Sequence, residues 1–194
     1  MMNSMEDIKD LLPILLKRST THPNEMPILN GLTTMFASMI ETQHPPTHPT
    51  NKPILIYLQQ LLDHGVNPSP IIVKWIQSPG PYFEANPLGI DYGRYLRYEY
   101  RSFYSDNQPV CFYAVPEYIP QLLEMDVREQ GANYANVPLT DLQDENGNTW
   151  LHVMVGTQLL SGYPFETNRM AIEALLAHGR SEEHTSELQS RVDI

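Results

Sequence analysis

The sequence predicts an all-α fold, a helical repeat array (solenoid) led by an N-terminal capping helix. Three observations predict it. Apolar residues recur at helical spacing in several separate stretches. Two distant stretches share a helix ending, Leu61-Leu62-Asp63-His64-Gly65 and Leu175-Leu176-Ala177-His178-Gly179. The 17 prolines gather mostly between the helical patterns, where loops belong.

Ser4 and Asp7 stand at the spacing of a capping box, and Ile8, Leu11, Leu12, Leu15 and Leu16 follow at helical intervals. A helix is expected over about Met5–Lys17, bent or broken at Pro13, whose ring removes a ladder hydrogen bond. Lys17 and Arg18 place positive charge near its C-terminal dipole. Its one apolar face caps the array, and residues 19–27 form a polar connection. Asn30-Gly31-Leu32-Thr33-Thr34-Met35-Phe36 then parallels Asn146-Gly147-Asn148-Thr149-Trp150-Leu151-His152. The stretch from Pro53 to Gly65 parallels the helix from Met170 to Gly179. An insertion separates the two helices of each unit, Glu41–Lys52 in the first and about Thr157–Asn168 in the last. A shared insertion point argues that the two are copies of one design.

Ile71–Ile76 is a short apolar segment open to either helix or strand, ended by Ser78-Pro79-Gly80-Pro81. Asp91–Tyr104 is rich in tyrosine and arginine, and a helix is expected over about Tyr92–Phe103. A third, degenerate unit follows. It comprises Phe112–Val115, a second helix beginning at Tyr118 with Pro120 tolerated in its first turn, and Gly131–Asn136. Asp144-Glu145-Asn146-Gly147 turns the chain into the last unit.

That last unit carries the most specific pattern. Gly147, Thr149, Leu151 and His152 stand where the ankyrin repeat has its G-x-T-P-L-H signature. Ile172, Leu175, Leu176, His178 and Gly179 stand where it closes its second helix. The chain resembles an ankyrin-repeat protein. Gly31, Thr33, Leu61, Leu62 and Gly65 occupy the corresponding places of the first unit, and each unit exceeds the family period of about 33 residues by roughly ten. The resemblance divides the chain into an N-terminal helix and linker (1–28) and a repeat region (29–179). The repeats fall at about 29–68, 107–136 and 144–179, with an irregular insertion at 69–106. Thr149 is expected to be an N-cap, its hydroxyl accepting from a first-turn N–H, and Gly179 to sit just past its helix, where φ > 0 favours glycine. By the resemblance, His152 ties its imidazole to backbone between repeats. Trp150 replaces the family's proline, losing a preset φ and adding an aromatic that must be buried or used.

Arg180–Ser190, RSEEHTSELQS, resembles the translation of a common sequencing-library adapter, all eleven residues matching its codons in one frame. Residues 180–194 are therefore expected to be foreign and the native frame to be cut at or near Gly179. In such a fragment, ending at 179, Trp150, Leu175 and Leu176 are expected to expose apolar surface.

Charge and motifs narrow the function. Twelve basic against 23 acidic residues give −11, and without residues 180–194 the balance is 10 against 19, or −9. Such an excess disfavours nucleic acid and anionic membrane as partners. No apolar run approaches the roughly 20 residues of a membrane span. The N-terminus lacks a signal or transit pattern. One cysteine, Cys111, excludes an intrachain disulfide and suits a reducing, cytoplasmic compartment (or delivery into a host cell), with the thiol a small buried hydrophobe by default. His22, His44 and His48 lie in proline-rich text that prevents a helical metal pair. No phosphate loop, nucleophile motif, zinc spacing or calcium loop occurs, so no catalytic, cofactor or metal residue is assigned. Tyr92, Arg94, Tyr95, Arg97, Tyr98 and Arg101 form the candidate partner-binding set. Packing is their first reading, a protein contact the second and nucleic acid the third. The resemblance implies a protein–protein interaction scaffold without enzymatic activity. The alternative is the recognition arm of a larger enzyme or secreted bacterial effector.

Overall fold

The computed structural model describes residues 5–20, 24, 26–78, 80–101, 107–126, 137–158 and 162–192, with backbone alone at 5–7, 157–158 and 180–192. Among these the chain is mostly helical, with one two-stranded sheet. It divides into two units, Met1–Ile90 and Asp91–Ile194. The boundary falls inside the stretch 69–106.

Among its described residues the N-terminal unit holds five α-helices. These are α1 (Met5–Ser19), α2 (Met26–Met39), α3 (Asn51–Asp63), α4 (Ser69–Ile76) and α5 (Pro81–Ala85). α1 runs through Pro13 as one helix. Pro13 is exposed, so its missing N–H lies on the solvent side. Ile8 and Leu12, one turn apart, are buried, and α1 packs on α2. Ser19 Oγ and His64 Nε2, 2.6 Å apart, tie the end of α1 to the end of α3.

The parallel between Asn30–Phe36 and Asn146–His152 fails in local structure. α2 starts at Met26, so Gly31 and Thr33 lie in a helix interior, not in a turn and cap. The reason is burial: Leu29, Thr33, Phe36 and Ala37 form one face packed on α3 and α4. Thr33 donates its hydroxyl to the Leu29 carbonyl (2.9 Å) and is satisfied within the helix.

α3 ends as the sequence predicts. Gly65 has φ +87°. Its N–H donates to the Leu62 carbonyl (2.9 Å), and the Val66 N–H donates to that of Leu61 (3.3 Å). This is a Schellman motif, closed by the buried pair Leu61 and Val66. Gly65→Ala is expected to cost about 1 kcal/mol, because a Cβ strains the left-handed residue although it would touch nothing. A urea midpoint for the N-terminal unit checks this. Asn67 then accepts from the N–H (2.9 Å) and hydroxyl (2.7 Å) of Ser69, starting α4. Ile71–Ile76 is thus helical.

Residues 41–50 form turns, as their prolines require. Fully buried Asn51 closes them, accepting from the Glu41 N–H (3.1 Å) and donating to its carbonyl (3.0 Å). The rings of His44 and His48 stack at 4.2 Å. His22 lies outside the described residues.

The C-terminal unit begins with α6 (Tyr92–Tyr95), capped by Asp91. The helix expected over Tyr92–Phe103 stops there, and 102–106 lie outside the described residues. The carbonyls of Leu96 and Tyr98 accept from Cys111 (3.1 Å) and Val110 (2.8 Å) instead of from amides one turn on. β1 (Glu99–Tyr100) pairs antiparallel with β2 (Gln108–Pro109). In the degenerate unit Val110–Tyr113 forms a 3-10 turn. Ala114 and Val115 are extended, as befits residues leading into Pro116. α7 (Ile119–Glu124) follows with Pro120 in its first turn. Gly131–Asn136 lies outside the described residues. α8 (Trp150–Gln158) and α9 (Phe165–Val192) complete the unit, and α9 packs against both α7 and α8.

α9 passes through Gly179, which has no positive φ. The expected C-cap is absent because Arg180–Val192 is rich in good helix formers and prolongs the helix.

Candidate interaction surface

The turn before α8 is built by one carboxylate. Asp144 Oδ1 accepts from the backbone N–H of Asn146 (2.9 Å) and Asn148 (2.8 Å), while Oδ2 accepts from the Asn148 side chain (3.1 Å). The Gly147 N–H donates to the Asp144 carbonyl (3.0 Å), and Gly147 takes φ +79°. Gln143 and Thr149 pair across the turn as an antiparallel bridge. Burial pushes the Asp144 carboxyl up, but the bonds from Asn148 and Asn146 outweigh it and hold the carboxyl below its ordinary value. Its contribution to stability is therefore complete above the unfolded carboxylate range and is lost as pH falls through the depressed native value. Asp144→Ala is expected to cost about 1 kcal/mol at neutral pH, modest because the group is partly solvated. Asp144→Asn removes this pH dependence. Urea titrations at neutral and acidic pH read both.

Thr149 and His152 close the turn onto α8. His152 Nδ1 accepts from the Thr149 N–H (3.2 Å) and hydroxyl (2.8 Å), which places the proton of the neutral ring on Nε2. The imidazole thus braces its own turn, where a bond between repeats was expected. The Thr149 hydroxyl serves that ring, not a first-turn amide. Leu151 is half-buried, while His152 and Val155 are exposed on α8 and Glu145 and Asn146 at the turn tip.

Trp150 is fully buried and stacks on Phe112 with centroids 6.0 Å apart. On α9, Asn168, Ala171 and Leu175 make one buried face, and Leu176 lies outside it at 38% exposure. In the full chain Leu176 is the exposed member of the three residues expected to show apolar surface, while Trp150 and Leu175 are buried. The pair Leu61 and Leu62 divides alike, the first fully buried and the second half-buried.

The arginine–tyrosine set does not form one face. Tyr92 is buried, and burial pushes its hydroxyl well above the ordinary tyrosine range. Arg97 is buried too. Its guanidinium donates to Asp126 and, through Nε, to the Val137 carbonyl (3.0 Å). Arg94 lies over the Tyr95 ring (5.5 Å), and Tyr95 leans on Tyr98 (5.3 Å). Arg94, Tyr98 and Arg101 are exposed and Tyr95 half-buried, so those four remain at the surface.

Asp126 escaped sequence reasoning. It also accepts from the Leu139 N–H (3.2 Å) and lies 3.5 Å from His178 Nε2. Only its acidity was visible, since its partners are remote in sequence. Cys111 is buried and unbridged, and burial drives its thiol far above the ordinary range. Among the described residues no group of three or more His, Cys, Asp or Glu is placed to hold a metal ion. No described helix is long and apolar enough to cross a membrane. No family model, curated protein or solved structure matches the chain.

Proposed function

We propose that this protein is a protein–protein interaction scaffold of the ankyrin-repeat type, acting in the cytoplasm without catalysis of its own. The observation that carries the reading is the 144–179 unit. Its Asp144-braced turn leads through the Thr149–His152 bond into α8, which packs on α9. α9 also packs on α7, its counterpart in the preceding degenerate unit. Stacked hairpins of this kind bury one side of each helix pair and leave turn tips and first helices to a partner. Here that free side presents Glu145, Asn146, His152 and Val155.

Site-specific photocross-linking tests the reading. A photoreactive residue at Glu145 or at Val155 is expected to capture a discrete protein from cells. The same group at Gln121 or Glu173, exposed on the second helices, captures none. Capture of equal strength from all four positions, or from none, contradicts the scaffold.

A further inference from the structure

A cleft of about 300 Å³ opens in the C-terminal unit, between the 3-10 turn Leu139–Asp141, the start of α8 and the middle of α9. Leu151, Leu175 and Leu176 form its apolar wall, and Thr140, Asp141 and Thr149 its polar rim. Asp141 is the one charged group among the described residues that line it. It is exposed, accepts from the Thr140 hydroxyl at 3.3 Å, and pairs with no cation among the described residues.

The chemistry of this lining selects an occupant. Its described lining offers no cation to a phosphate-bearing ligand, and its volume is at the lower limit for small-molecule pockets, about 300–1,000 Å³. An apolar wall under an unpaired carboxylate complements a large aliphatic or aromatic side chain whose neighbour is lysine or arginine. The exposed turn residue Glu145 and the chain's acidic excess act in the same direction. We propose that the cleft seats such an apolar anchor from a basic segment of a partner protein. The inference rests on the scaffold reading and adds the chemistry of the partner.

Gly179 supplies the test. It lies in the cleft lining within α9, and a Cβ there would meet nothing within 4 Å. A Cβ is thus tolerated at 179, Gly179→Leu is expected to add apolar volume at the cleft lining, and helix propensity favours it.

The probe is a displayed library of short random peptides selected on the full chain. The expected winners carry Leu, Ile, Met or Phe beside Lys or Arg. Gly179→Leu weakens them about tenfold or more while unfolding no earlier than the parent. Selection on Asp141→Lys switches the flanking preference from basic to acidic, and the parent preference fades as salt rises. Winners without a charge preference, or winners that hold Gly179→Leu undiminished, overturn the proposal. If those winners are lost on Val155→Glu, the cleft assignment falls and the scaffold stands. If no peptide is enriched, or both variants leave binding intact, both fall.

Discussion

Asp126→Ala is expected to destabilise the C-terminal unit by about 3–5 kcal/mol, the usual cost of removing one partner from a buried ion pair. Both side chains of the pair are almost wholly inside, Arg97 at 6% and Asp126 at 3% exposure. Loss of the carboxylate removes the guanidinium's buried ion-pair partner and orphans the Leu139 N–H. Adding Arg97→Met removes the other half of the ion pair, so the double variant is expected to regain about half of the loss. Recovery stays partial because Val137 and Leu139 still lack partners. Urea unfolding followed by Trp150 fluorescence, in a Trp75→Phe background, reads the C-terminal unit. A change in Asp126→Ala under about 1 kcal/mol means that the pair does not pin 97, 126 and 137–139 together.

Trp150→Pro is the second large effect, and it sets two terms against each other. Proline at the first helical position presets φ, worth about 0.5–1 kcal/mol. The indole it replaces is fully buried against Phe112, and truncating such a ring costs about 3–5 kcal/mol. Burial wins, so the variant loses roughly 3 kcal/mol despite restoring the residue of the family that the chain resembles. A chemical unfolding midpoint that stays put or rises would show that the aromatic is dispensable. Circular dichroism serves for this variant, because the fluorophore is gone.

The parts of the fold legible in the sequence are those fixed by neighbours along the chain. Ile8 and Leu12 declare the buried side of α1. Gly65 announces a left-handed residue, and Asp144 to Gly147 a turn, because those conformations depend on the residues themselves. Remote contacts were illegible. Arg94, Arg97 and Arg101 recur at helical spacing, yet Arg97 turns inward to an aspartate 29 residues away, and strand pairing takes the carbonyls a helix would need. Gly31-x-Thr33 and Gly147-x-Thr149 share letters but not structure. Met26–Asn30 already belongs to a helix whose buried side needs Leu29, whereas Asp144 holds its carboxylate on the amides of 146 and 148. At Gly179 the helix formers beyond it override a local stop signal. The candidate site was half legible for the same reason. The turn and His152 were visible in the sequence, while the Asp141-rimmed cleft assembles from three separated segments.

Native-state hydrogen exchange most directly tests whether α7, α8 and the 165–178 part of α9 share one core. Their slowest amides are expected to exchange with a common opening free energy, and Trp150→Ala to lower it by the same amount in all three. Amides of α7 that keep their protection while α8 and α9 lose theirs would contradict a stacked array.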